Sequence, residues 1–173
     1  MSTALPPRSE DIFRHLEDLR TRSYEGVHDW EGKLDLFRRA MALLDPVVRR
    51  IMDETNRTFL DDTGGVNHRV GEDRDGGAWA HWELSWPAQR EATARDGGRV
   101  QPIQVIATFP RGAPHPHLSA SIGGMWPCQI TDEADAGRQE PVIGAIVETE
   151  LHQRIFDGRW QVIPAFTRRH EPA

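Results

Sequence analysis

Two histidines stand two residues apart at His115 and His117, each followed or preceded by proline in the run "FPRGAPHPHLSASIGGMW", residues 109–126. In an extended backbone, side chains at i and i+2 project to the same face, so both imidazoles can approach one atom. Neutral imidazole is a ligand for zinc and iron, which makes the pair a candidate for two positions of a divalent metal site. Further donors must come from other segments. The sequence offers His81 and Glu83 on an alternating stretch that reads as a strand, "AWAHWELSW". In a meander, another strand lies between that one and His117. Strands two places apart are separated by about 9.6 Å, which is wide for shared ligands. A simpler reading competes with the metal: Pro114 and Pro116 stiffen a strand entry, because proline fixes its own φ and biases the preceding residue to extended geometry.

The His-Pro-His pairing resembles the H-x-H element of cupins and carbonic anhydrases in those three residues alone. The acid that a cupin motif carries a few residues later is absent from Leu118, Ser119, Ala120, Ser121 and Ile122. Other candidates read more simply as structure. Glu148 and His152 have the i, i+4 spacing of a metal clasp, but Glu150 and Arg154 share that spacing in the order favouring an ion pair, as on a charged helix flank. Cys128 is the only cysteine, which rules out an intrachain disulfide and leaves the residue as a small apolar side chain for packing. His28-Asp29 suits a helix cap better than an oriented imidazole. No phosphate loop, nucleophile elbow or H-E-x-x-H motif occurs.

The elements that must position these residues change character along the chain. Residues 1–8 read as a tail. Ser9 is placed to cap a first helix carrying Ile12, Phe13, Leu16 and Leu19 at helical spacing. A second helix begins near Asp29 with the stripe Leu34, Phe37, Met41 and Leu44. Asp45-Pro46 predicts a third helix or a kinked continuation, with Val48, Ile51, Met52, Thr55 and Phe59 inward. Residues 61–77 are acidic, glycine-rich and aperiodic, which predicts a flexible loop. From there the period becomes 2. Ala80, Trp82, Leu84 and Trp86 share one strand face, and Trp79, His81, Glu83 and Ser85 the other. Ile103, Val105, Ala107 and Phe109 mark the next strand, with Asp96-Gly97-Gly98 as a hairpin turn between them. Strands follow at 117–122 and 126–130. A helix then runs from Pro141 to Gly158 along Ile143, Val147, Leu151 and Ile155, and "RWQVIPAF" reads as a last strand.

The pattern predicts one α+β domain over residues 1–173. N-terminal helices come first, followed by an antiparallel sheet of four to five strands with one helix before the last strand. A net charge of −6 argues against a nonspecific nucleic-acid binder, which needs clustered basic residues. No window approaches the roughly 20 apolar residues that span a bilayer, and the charged N-terminus has no signal-peptide run. A cytoplasmic protein is expected. With 6 tryptophans against 1 tyrosine, large aromatic surface is available for association. The leading reading is therefore a small binding or assembly protein without a cofactor. Its surface would include Trp79, His81, Glu83, Trp82 and Trp86, and its partner would be a protein, a second copy in a homodimer, or an apolar small molecule. The alternative is a metal- or histidine-dependent enzyme centred on His115 and His117, with His81 and Glu83 supporting. Replacing both His115 and His117 with glutamine separates the two. Metal analysis from about pH 5 to about pH 8 is expected to find no stoichiometric zinc, iron or copper in either protein. Metal present in wild type, lost in acid and absent from the variant would overturn the binding reading.

Overall fold

The longest helix runs straight through the proline at which the sequence divides it. In the computed structural model, which describes residues 8–169, α2 spans Trp30–Phe59 with Pro46 inside it. Proline removes one helical hydrogen bond and costs about 3 kcal/mol or more in a helix interior. The apolar stripe overrides that cost. Leu34, Phe37, Met41, Leu44, Val48, Ile51 and Met52 are all buried on both sides of the proline. Asp29 caps the helix as expected, its carboxylate accepting from Gly32 N at 2.7 Å. Thr55 is half-buried, and Phe59, expected inward, is exposed.

Helix α1 spans Ser9–Thr21, so Ser9 is its first residue and Arg8 occupies the cap position, without a capping side-chain bond. Of the tail expected over 1–8, all but Arg8 lies outside the described residues. Segment 61–77, expected as a flexible loop, contains the eight-residue strand β1 (Gly65–Glu72). Its polar composition is that of an edge strand: register with β2 (Ala78–Ser85) runs unbroken from Gly65↔Ser85 to Glu72↔Ala78. Asp73 builds the connecting turn by accepting from Gly77 N at 2.8 Å and Asp75 N at 3.0 Å, with Gly76 in the left-handed region at φ 81°. The hairpin turn expected at 96–98 is also replaced. A helix, α3 (Pro87–Arg95), follows β2, and Gly97 and Gly98 close it, Gly98 N donating to Thr93 O at 2.8 Å.

Strands β3 (Ile103–Phe109), β4 (His117–Ser119) and β5 (Met125–Pro127) complete an antiparallel sheet in the order β1-β2-β3-β4-β5. The fold is the α+β class read from the sequence, with helices first and the antiparallel sheet after them. β4 is shorter than the 117–122 expected because Ser121 N donates to a helix carboxylate, Glu150 Oε1, at 2.8 Å. After the sheet come α4 (Glu133–Arg138) and α5 (Glu140–Gly158). Segment 159–166 is not a strand. It forms a 3-10 turn, Trp160–Val162, and α6, Pro164–Arg169. Pro164 cannot donate to a sheet ladder but suits the first turn of a helix.

One face of the sheet packs on α2 and α5. Ala78, Ala80, Trp82, Leu84, Ile103, Val105, Ala107 and Phe109 are buried there against Ile143, Ile146, Val147 and Leu151. No helix among the described residues is long and apolar enough to cross a membrane. Leu151 lies mid-face on α5, so Leu151→Ala is expected to cost about 2–5 kcal/mol in urea unfolding. A loss below about 0.5 kcal/mol would place that face at the surface.

Candidate functional site

His115 and His117 do meet a third histidine, but not from the sheet. The order β2-β3-β4 puts β3 between them and the strand carrying His81 and Glu83, with Thr108 opposite His117 and Gln104 opposite Glu83. His81 packs on Trp79, ring centroids 4.8 Å apart, and Glu83 pairs with Arg69 at 2.7 Å. The third imidazole is His15 of α1. Its ring centroid is 4.3 Å from that of His115 and 5.7 Å from that of His117, both edge-on. His115 is fully buried, with Nδ1 2.8 Å from Pro116 O and Nε2 3.2 Å from Asp18 Oδ2.

Only imidazolium can donate at both nitrogens. Burial, then the neighbouring His15, push His115 down to about 4, so at neutral pH the ring is uncharged. Its proton serves the Pro116 carbonyl and leaves Nε2 without a partner beside the Asp18 carboxylate. Burial also lowers His15 and His117. The rings pack edge to face instead of converging. Among the described residues, no three His, Cys, Asp or Glu side chains are placed to share a metal ion.

The cluster belongs to a larger polar seam beneath α1. Asp11 and Asp18 are buried; Asp11 accepts from Gln139 Nε2 at 3.1 Å, and Asp18 accepts from Gln129 Nε2 at 3.1 Å and Ser23 Oγ at 3.1 Å. Arg14 bridges Glu25 at 2.7 Å and Asp135 at 3.0 Å. Burial alone would raise Asp135, but bonds from Arg14 and Thr131 outweigh it and hold the carboxyl at about 2. Cys128 sits beneath the seam, fully buried, its thiol pushed up to about 12 by burial, which makes it a packed side chain and not a nucleophile.

Helix α1 is therefore docked polar face inward. Its stripe of Ile12, Phe13, Leu16 and Leu19 points away from the protein, with Phe13 at 62% and Leu16 at 53% exposure. No α1 residue belongs to the hydrophobic core. The sequence shows the stripe, but polar Asp11, Arg14, His15 and Asp18 recur at the same helical spacing, and periodicity alone cannot say which face is covered. The chain matches no protein family, no curated protein and no solved structure. The site must be read from its geometry.

The remaining residues of the expected surface divide by strand parity. Trp82 and Trp86 are fully buried in the core, with Trp86 Nε1 donating to Val162 O at 2.5 Å. They present no binding surface. Trp79, His81 and Glu83 lie half-buried on the opposite sheet face with Ile106 and Thr108. A second, half-buried polar group includes a residue of the segment read as loop. His68 of β1 stacks on Trp82 at 4.5 Å, and Asp45 joins the two, 2.8 Å from Trp82 Nε1 and 3.1 Å from His68 Nδ1.

The seam predicts acid sensitivity with a definite sign. The folded His115 is held at about 4, against about 6.5 for an unfolded histidine. Because the folded value is the lower one, the unfolded chain takes up the proton first. The contribution, about 3 kcal/mol, is present above pH 6.5 and is lost as the pH falls toward 4. Urea unfolding at about pH 7 and about pH 4.5 should show His115→Gln losing less stability between the two than wild type does, by about 1 kcal/mol or more. Equal losses would show that His115 is not the group titrating.

Proposed function

We propose that the protein is a binding and assembly protein whose first partner is a second copy of itself, engaged through the outer face of α1. The observation that supports this is the orientation of α1. A helix at a protein surface ordinarily buries its apolar stripe and shows water its polar face. Here the arrangement is reversed, and a contiguous exposed apolar stripe of this kind marks an association site. Two α1 helices packed antiparallel about a two-fold axis near Leu16 lay Ile12 and Phe13 against Leu19 of the partner subunit. The same apposition brings Glu10 toward Arg20 of the partner subunit. Glu10 and Arg20 are 70% and 72% exposed at their side chains, and each also faces an opposite charge of its own chain, Arg138 at 3.8 Å and Glu17 at 2.5 Å, so the charges at the ends of the apolar seam are mixed and do not repel.

Met125, on the strand at the sheet edge beside α1, is a further exposed apolar side chain. The cytoplasm is the compartment this reading takes, since the one cysteine is buried and the fold gains nothing from an oxidising environment. Nucleic acid and membranes are not among the partners proposed.

Light scattering at tens of micromolar tests the proposal. Wild type is expected at twice the chain mass and Leu16→Glu at the chain mass, with unchanged circular dichroism, because Leu16 contributes nothing to the core. A wild-type monomer, or a dimer that survives Leu16→Glu, would overturn it.

A further inference from the structure

The two edges of the sheet are treated differently. The β5 edge is three residues long, ends in Pro127 and has α1 beside it, with Arg8 donating to Pro127 O at 3.2 Å. Those are ordinary means of blunting an edge. The β1 edge has none of them. It is eight residues long and regular, without proline or bulge, and among the described residues pairs only with β2. No backbone hydrogen bond ties its other side to another described segment. Every second residue of such an edge turns an N–H and a C=O outward, a row of donors and acceptors that fits one thing well: another extended backbone.

Beside this edge lies an apolar cavity of about 330 Å³ between β1 and α2. Phe37, Met41 and Ala42 form its helix wall, and Val70, Gly71 and Trp79 its sheet wall. Arg38 and Glu72, paired at 2.6 Å, stand among its lining residues. Val70 shows why the cavity is unfilled. It pairs with buried Ala80, on the sheet face that α2 covers, yet is 63% exposed. The volume sits at the bottom of the range for small-molecule sites, about 300–1,000 Å³. A space of that size, open along the strand edge, has room for an apolar side chain of a segment lying on the edge together with part of its neighbours.

A free strand edge next to an apolar cavity, walled by a helix, is the arrangement by which proteins bind peptides through strand addition. The ladder supplies affinity and the cavity supplies specificity. We infer that the groove between β1 and α2 binds an extended peptide, which adds to the sheet as a sixth strand and places one apolar side chain against Phe37, Met41 and Val70. The groove is at the edge of the sheet opposite the one α1 adjoins, so it stays open in a dimer formed through α1. The two interactions are independent.

Phage-displayed random octapeptides, selected on the full chain, provide the probe. Enriched peptides are expected to share one apolar residue at a fixed position. A labelled synthetic copy should bind about tenfold or more weakly once alternate backbone nitrogens are methylated, because methylation removes ladder donors and leaves the side chains in place. Ala42→Trp, at an exposed α2 position that lines the cavity, should weaken binding to a similar degree, whereas Leu16→Glu should leave it unchanged. The inference is overturned if nothing is enriched over an unrelated protein. It is equally overturned if the enriched peptides bind as well after methylation in either alternate register, or as well to Ala42→Trp. If Val70→Lys halves the mass in solution, the edge belongs to a second copy and the peptide reading fails.

Discussion

A fully buried carboxylate holds the sheet to its helix. Glu150 on α5 accepts from Gln104 N at 3.0 Å, from Ser121 N at 2.8 Å and Ser121 Oγ at 2.5 Å, and from Arg154 at 2.6 Å. Arg154, also buried, donates onward to Pro102 O at 2.8 Å. A charge removed from water costs several kcal/mol unless its oxygens are met by donors, and here each is met at least twice. The consequence is geometric. Gln104 lies near the start of β3 and Ser121 just past the end of β4, so one side chain fixes where α5 sits, where β3 begins and where β4 stops. An apolar residue at 150 could fill the space, but it could not bind two strand-end amides at once.

The same device recurs on α2. Burial disfavours the ionised Asp45, yet bonds from Trp82 and Arg49 outweigh it and keep the carboxyl below its usual range. Through Trp82 and His68 this carboxylate reaches β2 and β1, so each helix packed on the sheet is pinned to two strands by one acid. Helices resting on a flat apolar face can slide with little penalty, because dispersion is not directional. Hydrogen bonds to buried carboxylates are directional and set the position. Glu150, which stands in the sequence beside the metal-clasp spacing of Glu148 and His152, and Asp45, read there as the start of a helix, both serve alignment.

Periodicity made most of the core legible. The alternation through Ala80, Trp82 and Leu84, the ladder of Ile143, Val147 and Leu151, and the stripe of α2 each identify a buried face, because a face that meets a core must be apolar at the element's own period. What escaped did so for physical reasons. β1 reads as loop because an edge strand with one free side tolerates Gly, Asn and Arg. The helix at Pro87–Arg95 is amphipathic only weakly, burying Gln89 and Ala92, so the two glycines closing it resemble a hairpin turn. Segment 159–166 is apolar without being long, and its proline decides for helix. At the candidate site, the pair His115 and His117 was visible, but its neighbour His15 lies a hundred residues away, and no local spacing announces it.

The seam under α1 also divides the chain into positions that folding constrains and positions it does not. The hydrophobic core closes without any side chain from residues 9–21, and the groups this helix buries, Asp11 and Asp18, serve the polar seam. Along the outer stripe, serine or glutamate would leave the core and the hydrogen bonds of the seam intact and would improve solubility. Four large apolar side chains therefore stand on the outer face of a helix whose buried groups are all polar, and on this helix solubility and stability can be altered separately.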